Sequence, residues 1–134
     1  MKTNRLIISL CALMALGTCC SFAAKTINGK RIVATKEYKL EGKKQILDHL
    51  TKYNAEGDKT EETEYGKTGD VKEKTIYTYN ANGKCVEEKH FNEFNKLDKT
   101  VKIEYDANGK KAKETTFMPN GKVKSIHVFD YELQ

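Results

Sequence analysis

Tyr105-Asp106-Ala107-Asn108-Gly109-Lys110 stands 26 residues after Tyr79-Asn80-Ala81-Asn82-Gly83-Lys84, which itself stands 26 residues after Tyr53-Asn54-Ala55-Glu56-Gly57-Asp58. Tyr131 continues the interval, so four tyrosines mark a fixed period. A second aromatic set, Tyr65, Phe91 and Phe117, recurs at the same period, 12 positions after the first three tyrosines. Self-similarity on this scale marks a repeat architecture in which neighbouring units bury one another's surface. Half a period is one strand and one turn.

The turns are written as triplets ending in Gly or Asn: Ala55-Glu56-Gly57, Lys67-Thr68-Gly69, Ala81-Asn82-Gly83, Glu93-Phe94-Asn95, Ala107-Asn108-Gly109 and Pro119-Asn120-Gly121. A three-residue hairpin loop is a type I turn followed by a left-handed residue in a bulge, and Gly or Asn tolerates that last position. Pro119 presets the dihedral of the first turn position. Strands are therefore predicted at residues 59–65, 71–79, 85–91, 97–105, 111–117 and 123–131. Before Tyr53 the pattern loosens. Ile27-Asn28-Gly29 and Leu40-Glu41-Gly42 predict two more turn triplets, with strands near 31–39 and 43–53, although Ile46, Leu47 and Leu50 also stand at helical spacing.

Three-residue loops throughout would pair residues of the same parity and put all odd positions on one face. Nine of the ten aromatic residues from Tyr53 onward are odd, and the even one, Phe94, lies inside a loop. That register sets Glu62 opposite Lys74, Glu64 opposite Lys72, Lys102 opposite Glu114 and His90 opposite Asp98, with Lys89 facing Lys99 as an unfavourable pair. Opposite charges across a ladder contribute roughly 0.2–1 kcal/mol each and penalise slipped registers. One apolar and one charged face imply an antiparallel sheet wet on one side. Glu61, Glu73, Glu87, Lys89, Lys99 and Lys113 are too many charges for a dry barrel interior. The expected fold is all-β: an open, twisted, single-layer antiparallel hairpin meander of about six to eight strands, with a closed or half-closed barrel as the alternative.

At the N-terminus, Lys2 and Arg5 precede an uncharged 19-residue run, Leu6 to Ala24, that ends in small residues. This is the layout of a secretory signal peptide, and Ser21-Phe22-Ala23 predicts cleavage after Ala23. The chain then divides into a signal peptide (1–23), a less regular segment (24–52) and a hairpin-repeat region (53–134) that forms one domain with it. The expected location is outside the cytoplasm: periplasmic, cell-surface or secreted. Leu16-Gly17-Thr18-Cys19 offers the alternative of a lipoprotein anchored through acylated Cys19, and only then is a membrane expected as partner.

Removing Lys2 and Arg5 lowers the basic count from 24 to 22 against 19 acidic residues, a net charge of +3. The signs are interleaved and form no basic stripe, so nucleic acid is not an expected partner. Three of the four cysteines lie in the signal segment, and Cys85 reads as a small hydrophobe opposite Tyr79 rather than a reactive thiol. The histidines are His49, His90 and His127, and no nucleophile elbow, phosphate loop or metal-ligand spacing accompanies them. His90 with Asp98 is the nearest approach to a site, and a cross-strand ion pair explains it more simply. No catalytic, cofactor or metal residue is assigned. The candidate surface is the ladder Tyr53, Tyr79, Tyr105, Tyr131, Tyr65, Phe91 and Phe117, read first as packing and second as rings offered to a glycan, peptide or protein.

Tyr105-Asp106-Ala107-Asn108-Gly109-Lys110 resembles the YD repeat: Tyr-Asp, two variable residues, Gly, then a basic residue. Tyr79 to Lys84 departs from it by Asn80, and Tyr53 to Asp58 departs again at the basic position. The chain is also similar to small exported proteins of Bacteroidota of unknown function and, more distantly, to MORN-type repeats. The resemblance covers about 80 residues, is mostly turn chemistry, and implies hairpin repeats in scaffolding, shell-forming or binding roles. The expectation is an exported, non-enzymatic interaction or scaffold module. The alternatives are a glycan- or peptide-binding surface protein and, more remotely, an envelope enzyme. Self-association or binding of a protein partner by strand addition is expected at the C-terminal strand from Val123 to Tyr131, an apolar edge.

Overall fold

The computed structural model describes residues 26–134. The signal segment, its cleavage site and Cys19 lie outside the described residues. The strands are β1 (Thr26–Ile27), β2 (Lys30–Arg31), β3 (Ala34–Glu41), β4 (Lys44–Tyr53), β5 (Lys59–Tyr65), β6 (Val71–Tyr79), β7 (Cys85–Asn92), β8 (Leu97–Tyr105), β9 (Lys111–Phe117) and β10 (Val123–Val128). β1 and β2 form a small hairpin of their own, and β3 to β10 lie side by side in chain order, antiparallel throughout. Order along the chain is order across the sheet. Edges β3 and β10 do not meet, so the sheet is an open meander and the barrel alternative does not form.

All six triplets make the predicted loop. In the fifth, the Asp106 N–H donates to the Lys110 carbonyl (2.8 Å) and the Gly109 N–H to the Asp106 carbonyl (3.0 Å), and Gly109 takes φ +72°. Asn95 holds the equivalent left-handed position at φ +55°. The residue after Tyr53, Tyr79 and Tyr105 has a specific task. Asp106 Oδ1 accepts the N–H groups of Asn108 (2.9 Å) and Lys110 (2.8 Å), and Asn80 Oδ1 accepts those of Asn82 and Lys84 at 3.0 Å each. A short polar side chain thus replaces backbone partners that a tight turn cannot supply. In the N-terminal part the turns are shorter than expected. Glu41 pairs with Lys44 and Ile27 with Lys30, leaving two-residue loops at Gly42-Lys43 and Asn28-Gly29, the latter with both residues left-handed, the form that matches strand twist. Ile46, Leu47 and Leu50 lie in β4, so their helical spacing has no consequence.

The parity expectation fails at one recurrent feature. After every triplet loop the ladder skips one residue: Thr60, Lys72, Val86, Asp98, Ala112 and Lys124 in turn. Tyr65 pairs with Val71, for example, but Glu64 pairs with Glu73. Each bulge shifts the register by one, and with a side-chain period of 2 this moves odd residues of one strand onto the face of even residues of the next. Tyr53, Tyr79 and Tyr105 therefore share a first face with Thr51, Glu62, Thr75, Tyr77 and Val101. Tyr65, Phe91 and Phe117 stand on the second, with Thr63, Lys74, Thr100 and Thr115.

The charge pairing changes accordingly. Glu62 is opposite Thr75, Lys74 opposite Thr63, Lys102 opposite Thr115, and Glu114 opposite Ile103, while Lys89 faces Thr100 and so avoids Lys99. His90 is paired with Lys99. The Glu64–Lys72 ion pair does form, because Lys72 is the skipped residue beside Glu64. Cys85 is opposite Tyr79 as expected.

The core is small. Cys85, Val101 and Ile103 are buried on the first face under Tyr77, Tyr79 and Tyr105. The other buried residues are threonines, Thr51, Thr75 and Thr116 on the first face and Thr63 and Thr115 on the second. A single layer has no second sheet to pack on, so its mid-strand positions take short β-branched side chains covered by long neighbours.

Candidate functional site

The seven ladder residues do not converge. Tyr53, Tyr79 and Tyr105 precede the turns at one end of the sheet on the first face, and Tyr65, Phe91 and Phe117 precede the turns at the other end on the second. Six are half-buried and Tyr131 is exposed. Their polar tips and neighbours show packing in use. The Tyr105 hydroxyl donates to the Cys85 carbonyl at 2.7 Å, and the Tyr131 hydroxyl donates to the Lys111 carbonyl at 2.8 Å, each tyrosine reaching 20 residues back to the strand beside it. Lysine ammoniums lie over the rings: Lys74 over Phe91 (5.0 Å), Lys84 over Tyr105 (5.7 Å) and Lys102 over Phe117 (5.6 Å). Such contacts are worth about 0.5–1 kcal/mol at exposed positions and shield the rings from water.

The first face also gathers titratable groups across β4 to β7. His90 Nδ1 lies 3.3 Å from Glu73 Oε1 and 3.1 Å from Thr75 Oγ1, and its Nε2 lies 3.4 Å from Glu88 Oε2. The imidazole is thus bracketed by two carboxylates, and Asp98 joins it only in lining an open pocket of about 270 Å³. Next to it, His49, Glu62, Glu64, Glu73 and Thr75 line another of about 200 Å³. The shifted β6–β7 register brings Glu73 onto the face of His90, whereas Glu88 shares that face by standing two positions back on β7. Among the described residues no group of three or more His, Cys, Asp or Glu is placed to hold a metal ion. Among the described residues, the Thr75 hydroxyl is the hydroxyl or thiol that lies within hydrogen-bond distance of His90.

Two carboxylates on this side are held below the usual range, Asp48 mainly by the Lys39 ammonium at 2.6 Å and Glu64 mainly by Lys72. Tyr77 is the most perturbed group. Burial, and then the charge of Glu62, whose Oε2 accepts the phenol at 3.0 Å, hold it protonated far above its ordinary value of 10.0. The folded state binds this proton more tightly than the unfolded chain, so the contribution is complete below pH 10.0 and is lost as pH rises above it. Alkaline unfolding is expected to begin above pH 10.0, and Tyr77→Phe, with no proton to lose, should move its midpoint upward. A midpoint unmoved in circular dichroism titrations would remove Tyr77 from this role.

Comparison with known proteins adds one family. Residues 94–132 match a family described as "Protein of unknown function (DUF2963)". The match runs from the loop before β8 through β10 to Glu132, one and a half of the 26-residue periods, and covers under a third of the chain. No curated protein sequence matches. Among solved structures, a crystal structure of a GtfA/B complex bound to UDP and GlcNAc is similar at 11% identity and a TM-score of 0.31, over 84% of this chain and 27% of that one. At that identity and score the likeness does not extend to function.

Proposed function

We propose that the protein is an exported, non-enzymatic interaction or scaffold module that works by association along its sheet. The observation that carries this reading is the uncovered β10 edge. Ile126 and Val128 are 55% and 76% exposed on a strand that no other described residue pairs on its outer side. An edge of this kind is a template for another chain, which the main-chain groups bind and the side chains select. The apolar side chains continue beyond the strand in Phe129, Tyr131 and Leu133. The resemblance to YD-repeat and MORN-type proteins supports the same reading, as does the dispersal of the aromatic ladder over two faces, which suits packing better than a single glycan cleft.

The test is Val128→Pro. The Val128 N–H faces away from β9, so proline there removes an outward donor and leaves the inner ladder whole. Crosslinking of the exported protein in the cell envelope should recover bound material with the native chain and at least about tenfold less with the variant at equal folding. Equal recovery from both would reject the edge as the working surface.

A further inference from the structure

The reading of the protein as an association module leaves open what the β10 edge takes. Antiparallel geometry decides which groups it offers. The Phe129 N–H donates inward to the Ala112 carbonyl of β9 at 3.0 Å, and β9 pairs Lys113 with Val128, Glu114 with His127 and Thr115 with Ile126. Residues of an antiparallel strand alternate between bonding one neighbour and the other. Phe129 bonds inward, hence so does His127, and Ile126 and Val128 turn both N–H and C=O to the open side.

The stretch around them, Lys124-Ser125-Ile126-His127-Val128-Phe129-Asp130, is complementary to its own reverse. Read antiparallel against itself about His127, it sets Lys124 beside Asp130, Ile126 beside Val128 and Ser125 beside Phe129. We propose that the occupant of this edge is β10 of a second copy, paired antiparallel about a two-fold axis at His127. The proposal rests on the association reading above and names its partner.

In this register Ile126 of one copy and Val128 of the other exchange both backbone hydrogen bonds, and symmetry repeats the exchange. The residues that bond outward meet residues that bond outward. Their exposed aliphatic side chains cover each other, and a cation meets an anion at both ends. Lys124 and Asp130 are available for this, since no ion pair among the described residues uses either. Asp130 accepts only the neighbouring Tyr131 N–H, at 3.0 Å. Registers displaced by one step of the same kind lose the match: one sets Lys124 against Val128, the other Ile126 against Asp130. The segment past Val128 is held in place for pairing. Beyond the Phe129 backbone bond, Lys111 lies over the Phe129 ring at 5.4 Å and Tyr131 bonds the Lys111 carbonyl. The contact is isologous and closes after two copies, whereas β10 against β3 of the next copy would run on without end.

Charge reversal and a placed cysteine test this on the protein recovered from cells expressing the full chain. Lys124→Glu or Asp130→Lys turns two attractive pairs into repulsive ones, and each should weaken dimerisation about tenfold in sedimentation equilibrium. The double variant Lys124→Glu/Asp130→Lys should restore it, since the reversed charges again complement each other. His127→Cys should form an intermolecular disulfide on oxidation, because facing Cα atoms at a non-hydrogen-bonded antiparallel position stand about 4.5 Å apart. Ser125→Cys, with the same remaining cysteines, should not. A double variant as weak as the single ones, or His127→Cys crosslinking no better than Ser125→Cys, overturns the proposal. Open-ended assemblies indifferent to the charge reversals overturn it in favour of β10 against β3. A native chain that stays monomeric yet captures another envelope component through Val128 overturns the two-fold pairing and leaves the association reading intact, while one that associates with nothing overturns both.

Discussion

Ile103→Ala is expected to cost about 2–4 kcal/mol of unfolding free energy, the range for removing a buried branched side chain whose surroundings relax incompletely. Ile103 is only 6% exposed, and its buried apolar companions are Cys85 and Val101 alone, beneath Tyr77, Tyr79 and Tyr105. A single-layer sheet has no opposing layer to collapse into the void, which places the loss in the upper part of the range. For a domain with roughly 5–15 kcal/mol of total stability, the change lowers the melting temperature by about 10–20 °C. Ile126→Ala is the control. Its side chain is 55% exposed on β10, and in dilute protein its melting temperature should stay within a few degrees of the native value. Equal losses at the two positions would mean that the core is not where Cys85, Val101 and Ile103 place it.

Gly109→Val should be nearly as damaging. Gly109 sits at φ +72°, a conformation that a β-branched residue resists, at a cost of about 1–3 kcal/mol. Space is not the cause, since an added Cβ would meet only the flexible Lys84 side chain at 3.7 Å. The strain is in the backbone. Asparagine should therefore be tolerated, as Asn95 shows by occupying the matching position of its own loop at φ +55°. Thermal melts of Gly109→Val and Gly109→Asn should separate by several degrees, and coincident melts would refute the left-handed loop as the constraint.

Most of the fold could be read from turn chemistry. The triplets mark where the chain reverses, Asp106 and Asn80 close their turns as Asn92 does by accepting the N–H groups of Phe94 and Lys96 at 3.1 Å each, and the strand limits at Lys59–Tyr65, Val71–Tyr79, Leu97–Tyr105 and Lys111–Phe117 follow. The faces were not legible. A bulge at Thr60, Lys72, Val86, Asp98, Ala112 and Lys124 carries no shared residue type, because the extra residue needs no left-handed backbone of its own, so nothing in the sequence announces it. The odd-numbered aromatics looked like one surface for that reason, although the bulges divide them between two. His90 shows the same effect at the scale of a site. Its neighbour Glu73 comes from the shifted β6–β7 register, Glu88 stands two positions back on its own strand, and Asp98 joins them only in lining the open pocket. At the C-terminus β10 ends at Val128 rather than Tyr131, but the Phe129 and Tyr131 bonds to β9 keep the apolar edge in place.

The proposed association along the β10 edge is read directly by amide hydrogen exchange across that strand. In dilute protein the Phe129 amide, bonded to Ala112, should exchange slowly, while those of Ile126 and Val128 exchange at rates close to an unprotected chain. On concentration, or on adding the partner, both should become protected as Phe129 is. Ile126 and Val128 amides already protected in dilute protein, or still unprotected when the molecule is concentrated and partner-bound, would contradict it.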